Sequence, residues 1–238
     1  MTRVAYLCRN HSIMDSGLSS FLKKINLTKV SVLALTEINR DVFVLSLNRA
    51  MDFIAGQVIA LTTNSNLPPR LYSICSGISE PISILFNVKE NGALTPQLAR
   101  LKGGDELLIS SPFGAFLGDN HPAWWIASGT GIAPFRSMIR SGLGAENIII
   151  HGGRTLDSFY FNDELSHLYA ERYIRCCTQE NGEGVYNGRL TEWLREYENL
   201  PKNIHFYLCG SAEMVVEVRD ILLQKGIEIE HIMSEIYF

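Results

Sequence analysis

From Lys29 to Ser110 apolar and polar residues trade places in short runs: KVSVLALTEI, DVFVLSLNR, QVIALTT, RLYSICS, ISILFNVK and DELLIS. Runs of this length, rich in β-branched and aromatic residues, predict strands, and the pieces between them (TTNSNLPP, KENGA) carry turn residues. In DVFVLSLNR, β-branched and aromatic residues alternate over both faces, as a barrel wall with a packed interior requires. The segment therefore predicts a small antiparallel β-barrel. One helix interrupts it, TPQLARLKGG, with Thr95 as N-cap, Pro96 at the first helical position and Gly103–Gly104 as the stop.

After SSPFGAF the periodicity changes. Apolar strand runs AWWIAS, NIIIHGG, YIRCC and IHFYLCG alternate with helical segments APFRSMIRSG, SFYFNDELSHLYAE, RLTEWLREYE and AEMVVEVRDILLQKG. Such alternation predicts a parallel sheet with helices on both faces. The chain thus divides near Gly118 into a barrel domain, residues 26–118, and an α/β domain, residues 119–238. Residues 1–25 form an N-terminal extension with no assignment beyond a short helix at GLSSFLKK, and the sequence contains no internal repeat or low-complexity tract.

Composition narrows the chemistry. With 238 residues, 46% of them hydrophobic and 19% charged, the chain can bury a substantial core. A net charge of -4 gives no overall electrostatic footprint for nucleic acid. No apolar run reaches the roughly 18 residues of a membrane span, and the opening MTRVAYLCRN is too short in apolar residues for a secretory signal, so a cytoplasmic location is expected. The five cysteines, Cys8, Cys75, Cys176, Cys177 and Cys209, contain no C-x-x-C. Neither a disulfide framework nor a cysteine-held metal or cluster is indicated, and redox chemistry would need another carrier.

The sharpest local signal is WWIASGTGIAPFRSMI, which sets Gly129, Thr130 and Gly131 between a buried strand and a helix with Pro134 in its first turn. Glycines there let a backbone approach a ligand, and the free N–H groups with the helix dipole favour a phosphate. The motif alone reads equally well as a tight packing turn, because it lacks the third glycine of the usual dinucleotide fingerprint.

Taken together and in order, RLYS, GALTPQLARLKGGDEL, PFGAF, SGTGIAPF, GGRTLDSFYFNDEL, YLCGSAEMV and the terminal SEIYF resemble the ferredoxin/flavodoxin:NADP reductase family, most nearly its bacterial short-chain type. The resemblance spans about residues 28 to 238 and implies an FAD-binding barrel followed by an NAD(P)-binding domain. It implies that Arg70 grips the FAD pyrophosphate, that Leu71 on the same strand contacts the cofactor, that Tyr72 lies against the isoalloxazine, and that Ser73 reaches flavin N5. Alternation puts residues 70 and 72 on one face. Without the family, Arg70 reads as a surface charge and Tyr72 as a packing aromatic. Further implied FAD contacts are Gly92, Ala93, Leu94 and Thr95 of GALT, with Leu85 and Asn87 bordering the dinucleotide. At the C-terminus, Tyr237 and Phe238 supply an aromatic over the flavin, Phe238 being the first choice. Cys209 and Glu235, with Ser73, would position the nicotinamide, which also meets Gly210 and Ser211. Read alone, Cys209 is a buried strand cysteine and Glu235 an exposed tail residue.

For the 2'-phosphate of NADPH, the resemblance implies Arg154 of HGGRT and Arg189 of GR. Where an S-R pair is expected the chain has Thr178–Gln179, so NADPH is expected to be preferred only modestly, with NADH possible. The implied activity is hydride transfer between NADPH and flavin, then single-electron transfer to ferredoxin or flavodoxin. The alternatives are a partner-dependent FAD-binding subunit of a larger oxidoreductase and the reductase component of an oxygenase. Lys23, Lys24 and Lys29 could belong to a docking patch for an acidic carrier, although a solvated face explains them equally.

Overall fold

A computed structural model describes residues 22, 25–48 and 51–237. Contact density divides the chain into two units, one of residues 1–117 with 136–141, the other of residues 118–135 with 142–238.

Unit 1 is a six-stranded antiparallel sheet: β1 (Leu27–Asn39), β2 (Val42–Leu47), β3 (Val58–Thr62), β4 (Arg70–Ser73), β5 (Ser83–Asn87) and β6 (Glu106–Ser110), in the order β4-β3-β6-β1-β2-β5. Its two edges meet just beyond β4, through the bridge Ile74–Ile84 and a 2.8 Å bond from Cys75 N–H to Ser83 C=O, so the sheet closes on itself. The 13-residue β1 pairs with β6 along its first part and β2 along its second. Register shifts at Val32/Ala34 and Glu37/Asn39 allow one strand to turn that corner. The interior is filled by Val30, Val32, Leu45, Leu47, Ile59, Leu61, Ile74, Ile84, Phe86 and Ile109. Arg136 and Ser137, which cluster with this unit, hold the segment after β4 by donating to the carbonyls of Cys75 and Ser76 at 3.1 and 2.7 Å.

The helix here departs from expectation. Helix α1 is a single turn, Thr95–Leu98, capped by Leu94, and Thr95 is its first residue rather than its N-cap. The Thr95 hydroxyl accepts from Lys89 N–H at 2.9 Å, which ties the preceding loop instead of the helix. The helix also ends well before Gly103–Gly104. Gly104, at φ +94, turns the chain into β6 and bonds to Val32 C=O. Leu94 and Leu98 both enter the barrel core, so burial of those two side chains decides the helix length.

Unit 2 is a six-stranded, wholly parallel sheet of β7 (Ala123–Ser128), β8 (Ile148–Gly153), β9 (Tyr173–Cys177), β10 (Val185–Asn187), β11 (His205–Ser211) and β12 (Ile232–Tyr237), ordered β10-β9-β8-β7-β11-β12. Three whole helices, α3 (Asn162–Tyr169), α4 (Leu190–Glu196) and α5 (Ala212–Gln224), belong to it among the described residues, together with the first three residues of α2 (Ala133–Arg140), whose remainder clusters with unit 1. The adjacent tryptophans show the two faces. Trp124 packs with Phe206, Leu194 and Val218 on the side of α4 and α5, whereas Trp125 stacks on Phe135 of α2 at 5.3 Å. Period two places neighbouring residues on opposite faces, which is why both indoles are buried.

The short β10 and the C-terminal β12 are strands the sequence pattern did not indicate. The second expected segment of helix also starts late: Phe161 is left-handed at φ 61, and α3 begins after it. Among the described residues no helix is long and apolar enough to cross a membrane.

Candidate functional site

In unit 1 the expected residues stand on two faces of the barrel wall. Arg70 pairs in register with Leu61, and Tyr72 with Ile59, so both share the core-facing side of β4. Arg70 at the strand's start is exposed. Tyr72 is half-buried, its ring edge-on to Phe86 at 6.4 Å, so packing holds one part of the ring while the rest stays open. Burial raises its phenol to about 12, against the opposing pull of the Arg70 charge, so the hydroxyl keeps its proton. Ser73 and Leu71 point to the other face; Ser73 is buried at 3% exposure. Leu85 and Asn87, opposite to Phe86 in alternation, likewise face away from the barrel core, Leu85 buried and Asn87 half-buried. In the GALT loop Gly92 N–H bonds to Lys89 C=O at 2.7 Å, and a Cβ at Gly92 would lie 3.0 Å from that oxygen. Ala93 is exposed and Leu94 buried, so only the loop's outer backbone is open to a ligand.

In unit 2 the expected residues converge. From β7 the chain proceeds to β8, β9 and β10 on one side, then returns to β11 and β12 on the other. The carboxyl ends of β7 and β11 therefore flank a topological switch point, where open α/β sheets hold ligands. Gly129, Thr130 and Gly131 form a 3-10 turn directly after β7 that runs into α2. Gly129 is left-handed at φ 52, and a Cβ there would meet nothing within 4 Å, so this backbone faces open space. Gly131 serves packing instead, since a Cβ there would stand 2.1 Å from Cys209 C=O, and its absence permits the turn to close on β11. Gly210 is the matching concession on β11, at φ 150, where a Cβ would fall 2.2 Å from Ser128 Oγ. Ser128 Oγ accepts from Ser211 N–H at 3.3 Å, and Ser211 Oγ caps α5 by accepting from Met214 N–H.

Cys209 and Glu235 are register partners on β11 and β12, with thiol and carboxylate 4.0 Å apart. The thiol is fully buried, and its pKa is pushed well up by that burial and by the Glu235 charge, with the Tyr237 hydroxyl acting in the opposite sense. The thiol therefore keeps its proton at neutral pH. Tyr237 is the last residue of β12, in register with Ser211. Phe238, Lys23, Lys24 and residues 1–21 of the extension lie outside the described residues. Lys29 lies on β1 and pairs with Glu106 at 3.0 Å.

The expected phosphate arginines differ. Arg154 follows β8 and is exposed, its carbonyl accepting from Gln179 N–H and Cys177 Sγ. Arg189 is also exposed, but its guanidinium binds Glu213 at 2.8 Å with Glu217 at 3.6 Å. These carboxylates raise its pKa and compete with any phosphate.

Sequence reasoning missed His151 and Tyr173. His151 is fully buried on β8, with Nε2 3.1 Å from Gly129 C=O and Nδ1 3.0 Å from the Tyr173 hydroxyl. The signal was an imidazole inside the apolar run NIIIHGG, directly beside a ligand-like turn.

The family described as Oxidoreductase NAD-binding domain matches residues 125–220. A ferredoxin–NADP reductase from Azotobacter vinelandii is 30% identical over 219 residues, covering 79% of this chain and 85% of the relative. The "Probable dihydroorotate dehydrogenase B (NAD(+)), electron transfer subunit" of Pyrococcus furiosus is 27% identical over 209 residues, covering 85% of this chain and 78% of that protein. A crystal structure of a ferredoxin NADP+ reductase from Neisseria gonorrhoeae with bound FAD and NADP superposes with a TM-score of 0.81 at 22% identity, covering 89% of this chain and 99% of the other. That likeness carries the fold, a barrel and a doubly wound parallel sheet. With the length and identity of the Azotobacter match, it establishes that this oxidoreductase chain belongs to the ferredoxin–NADP reductase family.

Proposed function

We propose that the protein is an FAD-dependent reductase that moves a hydride between NAD(P)H and flavin and passes electrons singly to a small carrier, ferredoxin or flavodoxin. The observation that carries this reading is the similarity to a ferredoxin–NADP reductase over 79% of the chain, more than either unit alone contains. FAD supplies the step from hydride to single electrons when bound.

The residues fit both groups. On β4 an exposed guanidinium and a partly open aromatic ring stand two residues apart, suited to a pyrophosphate and a planar ring system. The backbone around Ala93 would take the second phosphate. At the switch point of unit 2, the open Gly129 backbone would donate to the pyrophosphate of NAD(P), while Gly210 and Ser211 would border the nicotinamide half. Cys209 would keep its proton and act as an uncharged wall there, with Glu235 alongside as the polar group. Ser73 would hold its hydroxyl proton toward flavin N5. Phe238 would complete the aromatic cover.

NADPH is favoured over NADH by Arg154, and only modestly, since Arg189 is engaged by Glu213 and Thr178–Gln179 bring no charge. An anaerobic absorbance titration with NADPH and NADH, followed by ferredoxin or flavodoxin, tests the whole reading. Bleaching of the flavin bands and reoxidation by a carrier are expected; a colourless protein that takes up no FAD would overturn it. The similarity to an electron transfer subunit supports a second reading, a partner-dependent subunit. A yellow protein that NADPH fails to bleach would favour that one.

A further inference from the structure

The turn that follows β7 is anchored from beneath by a fully buried side chain. His151 rises from the middle of the sheet, its backbone between Ala127 of β7 and Arg175 of β9, and it has no solvent exposure. A carbonyl oxygen only accepts, so the 3.1 Å contact with Gly129 C=O requires the proton on Nε2. Nδ1 then carries a lone pair, which the Tyr173 hydroxyl fills at 3.0 Å. Phe159 lies edge-on to the imidazole at 5.4 Å and 74°, fixing its plane. The tautomer is thus set by the partners at both ring nitrogens.

The consequence falls on the next amide. In a trans peptide the carbonyl and the following N–H point in opposite directions, and the chain has no cis bond among its described residues. Drawing Gly129 C=O down onto His151 turns Thr130 N–H outward, away from the sheet. That N–H lies in the first turn of the 3-10 helix, where no carbonyl within the helix can accept it. The left-handed Gly129 makes the orientation possible, and the open space above it makes the donor accessible.

We propose that His151, seconded by Tyr173, is a positioning residue for nucleotide binding, holding the Gly129–Thr130 peptide so that the Thr130 amide is aimed at a dinucleotide phosphate. This rests on the reading of the turn as the NAD(P) phosphate site. A phosphate bound there need not reorient the peptide first, which lowers the cost of association.

The test compares His151→Leu, His151→Gln and Tyr173→Phe with wild type, using NADP+ binding by difference absorbance, steady-state turnover, FAD content and tryptophan-monitored melting. Leucine removes the donor to Gly129; glutamine can still donate to that carbonyl and accept from Tyr173. The expected result is a weakening of NADP+ binding, and a rise in KM for NADPH, of about tenfold in His151→Leu. Turnover at saturating nucleotide and FAD content should stay near wild type. Glutamine should recover most of the affinity, and Tyr173→Phe should fall between. Should the leucine variant fail to fold, the ring 15N shifts of wild-type His151 decide: a proton on Nε2 supports the lock, and a proton on Nδ1 overturns it. A folded leucine variant that binds NADP+ as wild type does overturns the inference alone. Wild-type protein that binds no NADP+ while retaining FAD overturns the reading of the turn, and the inference with it.

Discussion

Acid should destabilise unit 2 through one imidazole. His151 is buried, and burial lowers its pKa from 6.5 to about 4, the Gly129 carbonyl opposing only in part. Unfolded, it takes a proton below about 6.5; folded, it resists until about 4. Between those values the unfolded state binds more protons, so stability falls as pH falls and the loss is complete below about 4. Two and a half pKa units bound the effect at about 3 kcal/mol, and the portion between pH 7 and pH 5 is about 2 kcal/mol. The groups facing the ring are the Tyr173 hydroxyl, the Gly129 carbonyl and Phe159, none of them a charge that would rescue an imidazolium.

All three tryptophans, Trp124, Trp125 and Trp193, lie in unit 2, so fluorescence-monitored urea denaturation reads this unit. Other groups titrate too. Glu80, bonded to Arg140, has a lowered pKa and loses that stabilisation in acid, as does Glu217 beside Arg195. The informative quantity is therefore a difference: the pH 7 to pH 5 loss in wild type minus that in His151→Gln, which keeps the hydrogen bonds and cannot titrate. A difference near 2 kcal/mol is expected. Equal losses in both proteins would refute the argument that the imidazole is held neutral by burial.

Gly131→Ala should destabilise unit 2 by about 2 kcal/mol or more, because its Cβ meets the Cys209 carbonyl, which cannot move aside as a side chain can; urea denaturation checks it. Gly129→Ala meets no atom and should cost only the left-handed backbone, about 1–2 kcal/mol, with the smaller drop in melting temperature of the two. Arg154→Ala should lower kcat/KM for NADPH by about tenfold while barely affecting NADH. Arg189→Ala should alter that ratio far less, since exposed pairs with Glu213 and Glu217 already engage its guanidinium; the four efficiencies, measured together, check both.

Periodicity made the two units legible because burial imposes it. Strands β3 and β5 of the barrel, like the central strands of the parallel sheet, bury both faces, so QVIALTT, ISILFNVK, AWWIAS and IHFYLCG read as strands from composition alone. The pattern failed where burial is partial. Every residue of β12 is of intermediate exposure, and β10 is three residues long, so neither leaves an apolar run. Thr95 misled for another reason: threonine before proline has the letters of an N-cap, but its hydroxyl found a nearer donor in Lys89. Arg189 was legible as a cation and illegible as a paired one, because Glu213 and Glu217 come from α5, more than twenty residues away.

The glycines of the turn show what the letters could and could not tell. The sequence presents Gly129 and Gly131 as one motif serving one ligand. In the fold only Gly129 leaves its backbone open, whereas Gly131 and Gly210 are consumed by the contact between the β7 turn and β11. A glycine fingerprint is thus a mixture of ligand approach and internal packing, and the third glycine absent here would have answered the packing demand. In this chain β11 meets that demand itself: Gly210 yields space to Ser128, and the Cys209 carbonyl abuts Gly131. The same strand end carries the thiol 4.0 Å from the Glu235 carboxylate. Packing of the turn and placement of Cys209 are therefore one structural fact. A substitution that loosens the first, such as Gly210→Ala, should disturb both nucleotide affinity and the rate of flavin reduction in stopped-flow measurements. A variant with unchanged affinity and a slowed rate would separate them and refute that coupling.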